Sequence, residues 1–414
     1  MIAEIIAIGS ELLTPFKQDT NSLFLTARLN DLGVDVAFKS VVGDNQDHLV
    51  AAARIALNRA DIIIFMGGLG PTEDDLTREA VAQAMRLKLR RDQDLVGELY
   101  ARFAKFKWKM PENNLKQADV IYGAVALRNA NGSAPGQYLE GEYEGKQKIV
   151  MLLPGPPFEL KPMFMEQCYD RLKATLPPHF IATRELRIAM MGESACDALV
   201  SPIYKEHNAV QTTILAGAGE VSLHLKAEGE TLEEAQELVD ELADELEDAL
   251  GEHLYSSKGE KLEQIVGYYL MMRNATLAVA ESCTGGLLAE RITEVAGSSR
   301  YFLGGAITYA NELKTLFAGV PPKLIEDHGA VSKEVCAAMA TGVREETGVT
   351  YGVAITGVAG PGGGTEAKPV GLVYISVSDA HKTETVERKF PGDRDRIRWY
   401  ATQQALDMVR RRLM

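Results

Sequence analysis

Short apolar stretches, each running into a glycine-bearing turn and then a helical stretch, recur through this sequence and constrain its fold more than any other feature. Residues 2–8, 35–42, 61–66, 120–124 and 148–153 read as strands, and residues 20–32 and 48–58 as helices between them. Strands separated by helices need right-handed crossovers, which produce a mainly parallel sheet covered by helices on both faces. Pro154-Gly155-Pro156-Pro157 ends that pattern. Residues 184–190 and 221–227 then read as strands. Residues 231–250 read as an amphipathic helix, with Leu232, Ala235, Leu238, Leu242, Leu246 and Ala249 on one side and only acidic charge on the other. Beyond Ser256-Ser257-Lys258-Gly259 the alternation resumes. Helices are expected over 262–272, 287–295, 332–346 and 394–412, and strands over 276–280, 305–309, 351–355 and 370–377. Ser332 is placed to cap the third of these helices. The expected fold class is α/β: two different three-layer α/β domains with mainly parallel sheets, at 1–170 and 258–414, joined by a small α+β domain at 180–252. A chain of 414 residues exceeds one compact core, in keeping with that division.

Charge and cysteine usage narrow the function classes. The formal net charge is -14, from 58 acidic and 44 basic side chains, so broad contact with a phosphate backbone is disfavoured. Small phosphorylated ligands stay open, since a few backbone N–H groups and one or two arginines suffice for them. Cys168, Cys196, Cys283 and Cys336 are widely spaced with no CxxC pair, which argues against structural zinc and a disulfide framework and fits a reducing cytosol. The amino terminus reads as a strand that starts at once, without the basic start and cleavage site of a signal peptide, and no apolar run approaches the roughly 20 residues that span a bilayer. A cytoplasmic location without membrane or direct nucleic-acid contact is expected.

Four loops of the first domain should gather at the carboxyl ends of its strands, where open α/β sheets bind ligands. They are Gly9-Ser10-Glu11-Leu12-Leu13 leading to Asn21, Gly43-Asp44-Asn45, the loop from Gly67 to Thr77, and Pro154-Gly155-Pro156-Pro157. In the third, Gly67, Gly68 and Gly70 let backbone approach a ligand, with N–H groups near Gly68 and Gly70 able to hold phosphate. The helix from Thr77 offers its positive end. Thr72 and Thr77 add hydroxyls. Asp44, Asp74 and Asp75 can hold a divalent metal whose remaining positions are filled by phosphate oxygens. The bland alternative makes Asp74 and Asp75 simple helix caps.

In the last domain, Glu281-Ser282-Cys283-Thr284-Gly285-Gly286 sits at a strand end before a helix, which exposes the Ser282 hydroxyl toward the positive end of that helix. No GxSxG elbow and no His–Asp partners accompany it, so Ser282 needs another base. Lys314, about one turn beyond Tyr309, supplies one if burial strips its proton near neutral pH. A solvated surface lysine is the other reading. Thr356-Gly357-Val358-Ala359-Gly360-Pro361-Gly362 follows another strand end and offers N–H groups to a phosphate or oxyanion, or is a plain flexible loop. Arg394 and Arg398 open the last helix. Cys283, between Ser282 and Thr284, is expected to pack inward.

The motifs as a set resemble known families. The glycine-rich loop with Asp75, and Asp44 after the second strand, resemble the molybdopterin-binding fold of MoaB and MogA. Ile8-Gly9-Ser10-Glu11-Leu12-Leu13, Asp19-Thr20-Asn21 and Leu153-Pro154-Gly155-Pro156-Pro157 look like the CinA proteins. The stretches AESCTGG, YANELK, ITGVAGPGGGTEAKPVG and FPGDRDRIR resemble the CinA carboxy-terminal domain, the PncC family of nicotinamide mononucleotide deamidases, and the middle domain is similar to a KH fold. The resemblance covers the whole chain and implies two hydrolases. In the last domain nicotinamide mononucleotide plus water would give nicotinate mononucleotide and ammonia, without metal or cofactor. Ser282 and Lys314 are implied as catalytic, with Tyr309, Thr284, Gly285, Gly286, Thr356, Gly357, Gly360, Gly362 and Arg394 or Arg398 around the substrate. In the first domain a divalent metal such as magnesium would serve an ADP-ribose pyrophosphatase yielding AMP and ribose 5-phosphate. Asp44 and Asp75 would act there, with Glu11, Asn21, Gly68, Gly70, Thr72, Thr77, Pro154 and Gly155 at the ligand. Ser10 departs from the family's usual Asp. A homodimer is expected. Two rivals stand beside this: the first domain only binds a nucleotide or pterin-like ligand, or the protein is an interaction factor in competence or repair. The helix at 231–250, which has no Lys or Arg, disfavours RNA binding by the middle domain.

Overall fold

A computed structural model describes residues 1–176 and 180–414. The chain divides into two compact units, Met1–Ile181 with Gly229–Thr231, and Ala182–Glu228 with Leu232–Met414.

In the first unit the strand Ile62–Met66 is buried along its whole length, as its unbroken apolar run requires of a central parallel strand. The sheet order is Asp35–Val42, Ile2–Ile8, Ile62–Met66, Lys146–Leu153, Gly136–Tyr143, Val125–Leu127. The first four strands are parallel and the last two antiparallel. Alternate side chains serve opposite faces. Ile6, Ile63, Phe65 and Leu152 pack with Leu49, Val50 and Ala53 of the helix Gln46–Arg59. Ile5, Ile62, Ile64 and Met151 pack with Leu25, Leu29 and Phe164 on the other face. Three layers result.

One strand expectation needs correction here, and one further strand appears. The stretch at 120–124 does not join the main sheet, because Asp119–Ile121 pairs with Leu89–Arg91 in a separate two-stranded sheet. Gly136–Tyr143 is an added antiparallel strand. It is joined to Lys146–Leu153 by Glu144 and Gly145, both left-handed (φ 49 and 80), the two-residue geometry that suits the twist of a hairpin.

In the second unit a four-stranded sheet runs Val210–Gly217, Glu220–Gly229, Phe180–Ala189, Leu254–Ser256. The helices Glu193–Tyr204 and Leu232–Leu250 supply apolar side chains to its core. Leu254–Ser256 extends this sheet past the expected limit of 252. The buried face of the acidic helix is Ala235, Val239, Leu242, Ala243, Leu246 and Leu250, whereas Leu232, in its first turn, is exposed.

The second sheet of this unit runs Phe302–Ile307, Leu277–Glu281, Tyr351–Gly357, Leu372–Ser378, Thr383–Lys389. Its first three strands are parallel and its last two antiparallel. Leu262–Met272 and Arg394–Leu413 contribute to the core on one face and Lys333–Thr347 to that on the other. Ser332 caps the latter helix by accepting from the Val335 N–H. Glu281 is in register with both Ile307 and Ile355, so three parallel strands end side by side. Among the described residues no helix is long and apolar enough to cross a membrane.

Candidate functional site

The three aligned strand ends of the last domain bring Ser282 and Lys314 together. Ser282 follows Glu281 and donates its N–H to the Ile355 carbonyl at 2.9 Å, which seats the loop on the central strand. The strand opposite ends at Ile307, two residues short of Tyr309. Thr308 donates its N–H to the Glu281 carbonyl at 2.7 Å. The helix Asn311–Ala318 then turns Lys314 back beneath the loop. Lys314 Nζ lies 3.3 Å from Ser282 Oγ, 2.8 Å from the Thr308 carbonyl and 3.3 Å from the Tyr309 carbonyl. Lys314 is 1% exposed and, among the described residues, makes no ion pair. Burial pulls its ammonium below the ordinary lysine pKa. The solvated-lysine reading is thus set aside.

Ser282 is not exposed as expected. It is 8% accessible, and the helix terminus beyond it is already satisfied. The buried Glu281 carboxylate accepts from the N–H groups of Gly286, Leu288 and Ala289 at 3.1, 3.1 and 2.8 Å. A carboxylate on those donors consumes the positive end of the helix Leu287–Glu294, so the expected dipole at Ser282 is spent on Glu281. Sequence reading passed over Glu281 because its type and spacing signal no chemistry without that geometry. Cys283 packs inward, and burial pushes its thiol up to about 12. All four cysteines are free and buried.

The remaining residues of this cluster frame the pair. Arg398 donates from Nε and Nη2 to the Thr284 carbonyl at 3.2 and 2.7 Å. Arg394 donates to the Gly360 carbonyl at 2.7 Å and reaches the Tyr309 hydroxyl at 3.3 Å. Both arginines therefore hold loops, and Tyr309, well exposed, stands at the rim. The Thr356 hydroxyl is turned to the Ala330 carbonyl at 2.9 Å. Gly357 is needed for packing, since a Cβ there would fall 2.6 Å from the Leu372 carbonyl oxygen. Gly285 and Gly362 have open space where a Cβ would stand.

A second cluster lines a cleft of 620 Å³ at the strand ends of the first unit. Glu11, Asn21, Asp44, Gly68, Gly70, Asp74, Asp75, Pro154 and Gly155 all face it, joined by Gln117, Ser133 and Glu159, which sequence reading did not select. Asp44 and Ser10 bond reciprocally: Ser10 N–H to Asp44 Oδ2 at 2.7 Å, Asp44 N–H to Ser10 Oγ at 3.1 Å. A hydroxyl suits that exchange where a second carboxylate would repel the first. Asn21 donates to the Gly155 carbonyl at 2.7 Å, tying the first and last loops together. Glu11 pairs with Lys17 at 2.7 Å, whose hydrogen bond holds the carboxyl below its usual range.

The glycine loop is held from behind. Asp75 is not a helix cap. Leu76 occupies that position without a side-chain bond, and Asp75 Oδ2 accepts from the Thr72 N–H at 2.9 Å and hydroxyl at 2.5 Å. Thr77 is buried, donates to the Gly67 carbonyl at 2.7 Å and fills the space a Cβ on Gly68 would take. Thr72 and Thr77 therefore shape the loop rather than line the cleft. Arg78, wholly buried, donates to the Leu69 and Gly70 carbonyls at 2.9 and 3.1 Å, and Lys116 to the Thr72 and Asp75 carbonyls at 2.7 and 2.8 Å. Neither carried a motif signal.

The carboxylates Asp44, Asp74 and Asp75 are hard oxygen donors facing one cleft. Among the described residues no group of three or more His, Cys, Asp or Glu side chains comes together to hold a metal ion. The three carboxylates expected as metal ligands therefore line the cleft without forming such a group by themselves.

The family model described as "CinA C-terminal domain" matches residues 259–413, "Probable molybdopterin binding domain" residues 4–174, and "Damage-inducible protein CinA KH domain" residues 183–256. A "CinA-like protein" of Koribacter versatilis is 62% identical over 414 residues, covering 100% of both chains. One of Acidobacterium capsulatum is 58% identical over 414 residues, again covering 100% of both. The crystal structure of competence/damage inducible protein CihA from Agrobacterium tumefaciens is 36% identical, covers 36% of this chain and 90% of its own, and aligns with a TM-score of 0.35. Matched from end to end by such relatives, and by the three domain models in turn, the chain belongs to the CinA family.

Proposed function

We propose that the last domain is a nicotinamide mononucleotide deamidase and the first a metal-dependent ADP-ribose pyrophosphatase. The observation that carries the first reading is the buried Lys314 amine 3.3 Å from Ser282 Oγ. A neutral amine has two N–H donors and one lone pair. With the two donors on the Thr308 and Tyr309 carbonyls, the lone pair is left for the Ser282 hydroxyl. Ser282 then gives its proton to Lys314 as its oxygen attacks the carboxamide carbon. Collapse of the adduct passes that proton to the departing ammonia, and water hydrolyses the ester to release the acid and restore Ser282. Loop N–H groups beside Ser282 are available to the oxyanion. The experiment is ammonia release from nicotinamide mononucleotide by the purified full chain. Stoichiometric ammonia and nicotinate mononucleotide are expected, and no ammonia would overturn the reading.

For the first domain the support is the carboxylate-lined cleft fed by four strand-end loops. A divalent cation held by Asp44 and Asp75, with phosphates of the ligand completing its shell, would neutralise charge at a diphosphate. EDTA is expected to abolish AMP formation from ADP-ribose while leaving ammonia release intact, both followed on one preparation by chromatography. ADP-ribose bound but never cleaved would make this domain a binding module.

A further inference from the structure

The cleft of the first unit has no aromatic side chain among the described residues that line it. Yet Phe16, in the loop that forms one of its rims, is 93% exposed, the highest value among the large hydrophobic side chains described. Its neighbours Leu12, Lys17 and Gln18 face the cleft. The loop is tethered on both sides of Phe16: Thr14 donates its hydroxyl to the Glu11 carbonyl at 2.6 Å, and Lys17 pairs with Glu11 at 2.7 Å. Ser10, where the loop leaves the strand, is locked to Asp44. The ring therefore sits on an anchored segment, not a free end. It makes no ring contact among the described residues. A fully solvated phenylalanine gains on burial whatever flat apolar surface a ligand brings.

The acids of the cleft suit the phosphate end of a ligand only through a cation, and nothing in the lining stacks on a planar base. We infer that Phe16 is a base-stacking residue, covering the purine ring of a nucleotide whose phosphates lie toward Asp44 and Asp75. This rests on the nucleotide reading of the first domain and adds the half of the ligand that is recognised by stacking.

The two products of the proposed cleavage separate the halves, since AMP carries the base and ribose 5-phosphate does not. With magnesium present, calorimetric titration of Phe16→Ala is expected to show about tenfold weaker AMP binding and ribose 5-phosphate binding within about twofold of wild type, the usual effect of losing one base–aromatic stack. In Phe16→Trp, AMP is expected to quench indole emission beyond the wild-type background of Trp108 and Trp399, and ribose 5-phosphate is not. AMP bound equally by wild type and Phe16→Ala, with no quenching in Phe16→Trp, overturns the stacking role and leaves the pyrophosphatase reading standing. The stacking signature without ADP-ribose cleavage supports Phe16 and removes the pyrophosphatase. No AMP binding by wild type overturns the stacking role, and AMP formation from ADP-ribose then decides the pyrophosphatase reading by itself.

Discussion

Replacing Lys314 by methionine is expected to lower kcat for nicotinamide mononucleotide deamidation by about 10³-fold, within the range a positioned general base contributes. Ser282→Ala should fall as far, and the double variant hardly further, because the two act as one unit. Lys314→Arg should be as poor as methionine, since a guanidinium keeps its charge throughout the accessible pH range. The pH profile gives the sign. The reactive form of Lys314 is neutral, and burial lowers its pKa, so activity is full above that value and is lost as pH falls through it. The acid limb should lie below the ordinary lysine value of about 10.4. It should vanish from the residual activity of Lys314→Met. Full turnover in Lys314→Met would sink the assignment.

Arg291→Met is expected to destabilise the second unit by about 3–5 kcal/mol, the range for breaking a buried ion pair from one side. Arg291 and Glu263 are 4% and 3% exposed and 2.7 Å apart. The guanidinium also donates to the Thr402 hydroxyl at 3.0 Å and the Gln403 side-chain oxygen at 2.7 Å, and lies 4.3 Å from the centre of the Trp399 ring. Removing it leaves the buried Glu263 carboxylate without its counter-ion, and that penalty adds to the lost contacts. Adding Glu263→Leu should recover most of the loss, because an apolar pair often replaces a buried ion pair at little cost. Urea titration followed by far-ultraviolet circular dichroism measures both. A loss below about 1 kcal/mol in the single variant would mean that Glu263 reaches water or takes up a proton.

Much of the architecture was legible in the order of the residues. Ile62–Met66 is a run of five apolar residues, which no half-exposed strand tolerates. The helix at 394–412 and the cap Ser332 follow from local periodicity and capping chemistry. The hairpin turn at Glu144-Gly145 is also local, a glycine after a polar residue between two strands. By contrast, the strand expected at 120–124 is found as Asp119–Ile121 outside the main sheet, because pairing is settled by what else competes for the sheet edge.

The candidate sites divide along the same line. Ser282, Lys314, Asp44 and Asp75 stand out by residue type and position after a strand. Their surroundings do not. Nothing near Glu281 in sequence reports that its carboxylate will take three N–H groups of the following helix, removing the dipole that Ser282 was expected to face. Arg78 and Lys116 hold the glycine loop through carbonyls, a role that asks only for a long cation and so leaves no motif.

By itself, then, the sequence determined which segments alternate as strand and helix, where glycine permits tight turns, and which hydroxyl and amine are candidates for chemistry. These are local properties, set by side-chain volume, polarity and backbone freedom over a few residues. Only the tertiary structure decided that Lys314 is buried 3.3 Å from Ser282 with no counter-ion among the described residues, that Asp75 shapes a loop instead of capping a helix, and that Phe16 is left bare beside a cleft. The burial of Lys314 depends on residues far apart in the chain excluding water together, and desolvation is a property of the assembled neighbourhood, not of any one residue in it.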